Sequence, residues 1–242
     1  MVTGMAGPAP PTNLSTIGFD ADDTLWQNEQ FFRLTEQRFI EILADHGQPQ
    51  VISGSLLEAE RRNLQIYGYG IKGFTLSMIE TAVEVTGGRV SAEAIGEILA
   101  MGREMLRHPV ETLPHVRETL AELSANFHLI LITKGDLFDQ ERKLAASGLG
   151  DYFSAVEIVS EKTHDTYRRI FARHGKGAEH AMMVGNSLKS DIVPAIMAGS
   201  WGVHVPHDLT WQLEHEEPPE AAPRFRRIAH LGQLGGLIGQ IA

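Results

Sequence analysis

From residue 114 onward the chain alternates helical and strand-forming stretches, and this rhythm limits its possible folds more than any other feature. Helical patterns over 114–125, 137–147, 163–174 and 188–198 are interleaved with short apolar runs at 127–133, 155–159, 181–184 and 202–205. Strands separated by helices in this way pair in parallel through right-handed crossovers. An earlier strand-forming run, 15–20 (STIGFD), ends in an acidic residue, as a central strand delivering side chains to its carboxyl end would. Pro194 falls inside the last helical stretch, where it removes an internal hydrogen bond. Residues 214–223 (EHEEPPEAAP) read as an exposed loop, followed by an edge strand at 225–229 and a short terminal helix.

Between 29 and 108 the pattern is purely helical. Four stretches, 29–46, 55–67, 74–86 and 91–107, are punctuated by Gly47, Gly68, Gly70, Gly87, Gly88 and Pro109. The expected architecture is α/β: a doubly wound, Rossmann-like parallel sheet built from 13–27 and 109–242, with a helical insertion at 28–108 after the first strand. Residues 1–12, rich in Gly, Ala and Pro, have no basic start and no long apolar stretch, and read as a flexible tail and not a signal peptide.

Composition narrows the function. With 43% hydrophobic and 21% charged residues, the 242-residue chain is globular. A net charge of −10 argues against a nucleic-acid groove, which needs clustered Lys and Arg. The absence of cysteine removes disulfides, thiolate metal sites and thiol nucleophiles, and suits a cytoplasmic location. No run reaches the roughly 18 apolar residues of a membrane-spanning helix, so no membrane partner is expected.

In open parallel sheets ligands bind beyond the carboxyl ends of the strands. The residues after Phe19, Ile132, Val159 and Val184 should therefore converge: Asp20 with Asp22, Thr133 with Lys134, Glu161 with Lys162, and Asn186 with Asp191. Crowded carboxylates repel one another, which favours a raised pKa or a bound cation. A hard cation such as Mg2+ takes oxygen ligands and shares phosphate oxygens with the protein. Asp20 could place one oxygen on the metal and attack phosphorus with the other, and Asp22 could protonate the departing alkoxide and then activate water. Thr133 with the amides after it, and Lys162, could hold the charged peripheral oxygens of a phosphoryl group.

Four segments in this order, FDADDTL at 19–25, Thr133 in LILITKGD, Lys162 in VSEKTHDTY, and VGNSLKSD at 184–191, resemble the four motifs of the haloacid dehalogenase-like hydrolases. The resemblance implies Asp20 as nucleophile and metal ligand, and Asp22 as acid/base whose main-chain carbonyl also meets the metal. It implies Thr133, Lys134, Gly135 and Lys162 as phosphate-binding residues, and Asp20, Asp22, Asn186 and Asp191 around Mg2+. Asn186 stands where the family more often has aspartate, lowering the site's charge by one and weakening cation affinity. Asp23 stands where phosphatase branches often carry glycine; its side chain either caps the turn or adds charge.

Family members that cleave carbon–halogen bonds generally lack a counterpart of Asp22, so Asp22 points to phosphate chemistry. The phosphonate-cleaving branch uses a cap lysine, and nothing around Lys72 is specific for that role. The helical insertion resembles a family cap, with YGYGIKG at 67–73 as the loop facing substrate through Tyr69 and Lys72. The expected activity is Mg2+-dependent hydrolysis of a small-molecule phosphomonoester through an aspartyl-phosphate. The alternatives are a phosphoryl-transferring mutase or a non-catalytic phosphate-binding regulator. The histidines of VHVPHDLTWQLEH at 203–215 match no zinc spacing and read as a surface loop. Phe31, Phe32 and Phe39 read as helical core, and Glu214, Glu216 and Glu217 as a solvated face.

Overall fold

The computed structural model describes residues 14–241, so the expected tail at 1–12 lies outside the described residues. In chain order the elements are β1 Thr16–Phe19, α1 Glu29–Ile42, α2 Pro49–Tyr67, α3 Ile71–Val85, α4 Ala92–Arg107, α5 Val116–Ser124, β2 His128–Lys134, α6 Leu137–Ser147, β3 Ala155–Val159, α7 His164–His174, β4 Ala181–Gly185, α8 Val193–Met197, β5 Trp201–His204, β6 Phe225–Arg227 and α9 Leu234–Ile241.

The strands form one sheet in the order β3-β2-β1-β4-β5-β6, and β1 pairs in parallel with both β2 and β4, as do β4 with β5 and β5 with β6. This is the doubly wound order, with its switch point between β1 and β4. All four residues of β1 and all five of β4 are buried, which is why neither shows an alternation of apolar and polar residues. Gly18 at the centre of β1 is closely covered: a Cβ there would stand 2.8 Å from Ile132 Cδ1 and would push buried side chains aside. On one face of the sheet, Ile130, Ile132, Ile170, Phe171, Met183 and Ala195 pack into a shared core.

Helix starts depart from the sequence reading in two places. Helix α2 begins at Pro49 and not near 55: proline suits a first helical turn, and Gly54 is carried inside the helix. Helix α3 begins at Ile71 and not at 74, with Gly70 at φ 108° as its N-cap. Gly73 is then internal, where a Cβ would lie 2.8 Å from the Gly68 carbonyl oxygen. The single helix expected over 188–198 is a π-helical turn, Leu188–Ile192, followed by α8. Pro194 sits in the first turn of α8, where its missing N–H costs nothing.

The described chain forms two compact units: residues 14–27, 111–133 and 147–241, and residues 28–110 with 134–146. The second has its own core, with Phe39, Leu43, Ile52, Leu56, Met78, Ile98 and Met101 at its centre and Phe32 packed against them. Each of these large side chains contributes about 1.5–3 kcal/mol by leaving water. Residues 134–146, which chain order assigns to the α/β core, group with these helices. Polar contacts hold them there: Lys72 Nζ to Asp136 Oδ1 at 2.9 Å, Lys143 Nζ to Asn28 Oδ1 at 3.2 Å, and Lys134 Nζ 4.0 Å from the centre of the Tyr69 ring. Among the described residues no helix is long and apolar enough to cross a membrane.

Candidate active site

The switch point between β1 and β4 carries the acidic residues. Asp20 follows β1 directly, and its N–H donates to the Val184 carbonyl at 2.9 Å, extending the ladder by one residue and anchoring the backbone that bears the carboxylate. The chain then turns sharply, with Leu25 N–H bonded to the Ala21 carbonyl at 2.8 Å and Asp23 N–H to the Trp26 carbonyl at 2.7 Å. Asp23 occupies the left-handed region at φ 58°, a conformation that glycine adopts freely and aspartate tolerates better than most residues.

Lys162 is the electrostatic centre. Its Nζ donates to Asp20 Oδ1 and, at 2.7 Å, to Asp191 Oδ1, and all three side chains are buried. Burial and the Asp191 charge push Asp20 up to about 7, against the opposing pull of Lys162. Burial works against the Lys162 charge, but Asp191 and Asp20 outweigh it and hold the ammonium above its ordinary value. Asp191 is fixed further by Ser187 N–H, which donates to Oδ2 at 3.0 Å. Gly185 makes room for it: a Cβ there would lie 2.3 Å from Asp191 Oδ2.

Thr24 ties the first turn to the fourth motif. Its Oγ1 lies 3.1 Å from Asp20 Oδ2 and 3.2 Å from Asn186 Oδ1, and accepts from Asn186 N–H at 3.0 Å. One hydroxyl proton serves only one of the two oxygens at a time. Asp22 is less buried than Asp20, and its Oδ1 accepts from Trp26 Nε1 at 2.7 Å. Thr133 is buried at the end of β2. The turn after β1, Lys162 and the Asn186–Asp191 segment therefore meet through direct hydrogen bonds, as expected of strand ends around a switch point.

The sequence profile of the haloacid dehalogenase-like hydrolases matches residues 14–199, the stretch that holds every one of these groups. The chain belongs to this family. Among its relatives is a glyceraldehyde 3-phosphate phosphatase of Methanothermobacter thermautotrophicus, 27% identical over 208 residues, covering 81% of this chain and 88% of that protein. A phosphoserine phosphatase of Thermus thermophilus is 31% identical over 160 residues, 63% of this chain and 61% of that protein. The crystal structure of a haloacid dehalogenase-like family hydrolase from Xanthomonas campestris superposes with a TM-score of 0.82 at 40% identity, covering 99% of this chain and 100% of that one.

Phosphatases of this family generally use Mg2+, and the oxygen donors here can be compared with that requirement. Among the described residues no three His, Cys, Asp or Glu side chains form a metal-binding group. The oxygen set is instead the Asp20 and Asp191 carboxylates, joined by the neutral Asn186 side-chain oxygen through Thr24. An all-oxygen set suits a hard ion that keeps several waters. The Asp20 pKa is raised first by burial and then by the Asp191 charge, which a bound cation would oppose. The residues fit Mg2+, with one charge fewer than a third carboxylate would bring.

The other candidates group within the helical unit. Lys134 lies over the Tyr69 ring, Lys72 bonds both Asp136 oxygens at 2.9 and 3.0 Å, and Gly135 takes a positive φ of 142°. Glu214 is not on a solvated face. It is half-buried, and its Oε2 accepts from Ser187 Oγ at 2.6 Å and also from Ser190 Oγ. The reading failed because the partners lie 27 and 24 residues upstream, beyond any local pattern. His204 is likewise built in, with Nε2 3.0 Å from the Asn186 carbonyl and a pKa lowered chiefly by burial.

Proposed function

We propose that this hydrolase is a Mg2+-dependent phosphatase of small phosphomonoesters, working through an aspartyl-phosphate on Asp20. The observation that carries the reading is the buried Asp20–Lys162–Asp191 cluster at the switch point, with Asp20 held by Thr24 on its other oxygen. Asp20 attacks phosphorus, a P–O bond forms, and the ester P–O bond breaks. Asp22 gives its proton to the departing alkoxide. It then takes one from the water that cleaves the acyl phosphate, releasing inorganic phosphate and restoring Asp20. Trp26 keeps the Asp22 carboxyl oriented through Nε1.

Lys162 and Thr133 bind the peripheral phosphate oxygens, and Lys162 also keeps Asp20 and Asp191 from repelling one another. Mg2+ would be held by Asp20, Asp191, the Asn186 side-chain oxygen and the Asp22 carbonyl, and when bound it would neutralise charge on the phosphoryl group. Lys134 and Gly135, next in the chain after Thr133, are proposed phosphate ligands. The helical unit is proposed as a cap that discriminates substrates through Tyr69 and Lys72.

The names of two relatives place glyceraldehyde 3-phosphate and phosphoserine first among esters to try. Phosphate release from these, from an aryl phosphate and from a wider ester panel, with and without Mg2+, tests the proposal against Asp20→Asn. Turnover that requires Mg2+ and disappears in the variant is the expected result. A folded protein that turns over no ester would shift the reading to a phosphate-ligand binding protein, which the neutral Asn186 favours as the second reading.

A further inference from the structure

The segment after β5 passes across both acid-bearing turns of the α/β unit before the chain re-enters the sheet as β6. At its start, His207 Nε2 lies 3.2 Å from Gln27 Oε1 and 3.7 Å from Asp23 Oδ1, alongside the turn that carries Asp20 and Asp22. Seven residues later Glu214 receives the hydroxyls of Ser187 and Ser190, and between them the Leu213 carbonyl accepts from Lys189 Nζ at 2.6 Å. Nothing in the phosphoryl-transfer reading uses these contacts.

Their consequence falls on Asp191. The preceding residue, Ser190, is held at three atoms: N–H by Ser187 Oγ at 3.0 Å, carbonyl by the buried Tyr167 hydroxyl at 3.0 Å, and Oγ by Glu214. Ser187, in turn, gives its N–H to Asp191 Oδ2 and its Oγ to Glu214. One glutamate oxygen thus closes both sides of the π-helical turn that presents Asp191. A carboxylate brought this close to an acidic cluster works against local repulsion. It also deepens the negative potential that a cation would feel, in a motif where Asn186 has given up one charge.

We propose that Glu214 is a positioning residue for Asp191, and that residues 207–214 form a strap setting the cation affinity of the site. The inference rests on the Mg2+ reading above. Its test is Mg2+ titration followed by thermal unfolding, alongside phosphate release, for the native chain, Glu214→Ala, Glu214→Gln, Ser190→Ala and the control Glu217→Gln, which removes an exposed charge from the same acidic run.

Glu214→Ala is expected to raise the Mg2+ concentration for half-maximal stabilisation about tenfold, with KM for the ester at saturating Mg2+ changed less than about twofold. Glu214→Gln, which keeps an acceptor but loses the charge, should fall between, Ser190→Ala should shift in the same direction, and Glu217→Gln should match the native chain. Unchanged Mg2+ affinity in Glu214→Gln and Ser190→Ala would overturn the proposal, even if Glu214→Ala fails to fold. A uniform loss of thermal stability with no change in Mg2+ affinity would reduce Glu214 to a structural cap. A native protein that Mg2+ neither stabilises nor activates would remove the cation reading itself, and this inference with it.

Discussion

Asp20 shows how one residue can set the pH response of the molecule. Its folded pKa of about 7 stands above its ordinary 3.8, so the folded chain keeps a proton that the unfolded chain has already released between those values. This contribution to stability is complete below about pH 4 and is lost as pH rises through 7. Asp20→Asn, neutral at every pH, should therefore be more stable than the native chain at pH 8 in chelator, by about 1–3 kcal/mol or several degrees. The gap should close toward pH 4, and thermal melts across that range read it directly. Trp26→Phe tests a different residue. Losing the Nε1 bond to Asp22 should lower kcat about tenfold for an alkyl phosphate and much less for an aryl phosphate, whose leaving group needs little protonation. Equal losses on both substrates would take the proton-donor role away from Asp22.

At the level of elements, the site depends on how closely β4 and the turn after it approach. Gly185 ends β4, and any side chain there meets Asp191 before it meets anything else. Gly185→Ala should lower kcat at least about tenfold and cost about 1–3 kcal/mol in urea unfolding, because a rigid buried carboxylate must move. The strand ends were legible in advance because apolar runs stop where polar residues begin, and Asp20, Lys162 and Asp191 each follow such a stop. Helix starts were less legible. Gly54 lies inside α2, where an added Cβ would meet no neighbour, and Gly73 in the first turn of α3 is selected by the approach of the Gly68 carbonyl. Local propensity disfavours glycine at both positions; close packing accounts for Gly73, and the residues around Gly54 carry the helix through it.

For the whole molecule, a cation that binds only the folded chain must raise its stability. Magnesium at a hundred times its dissociation constant should add about 2.7 kcal/mol, and chelator should reverse the gain. Calcium, larger and suited to more ligands, should stabilise less per site than it would with a third carboxylate at Asn186, which differential melts can compare. The order of strands and helices, the acidic turn after β1 and the convergence of the strand ends bearing Asp20, Lys162 and Asp191 followed from the sequence, because alternation of periodicity and strand-end chemistry are local properties of a chain. The tertiary structure alone decided that Thr24 bridges Asp20 to Asn186, that residues 134–146 side with the helices, and that Glu214 closes the turn bearing Asp191. Apart from Thr24 with Asp20, those pairings join residues from about 24 to 162 positions apart, or set one element's allegiance by contacts such as Lys72 with Asp136, and a hydrogen bond between distant residues leaves no period in the sequence to read.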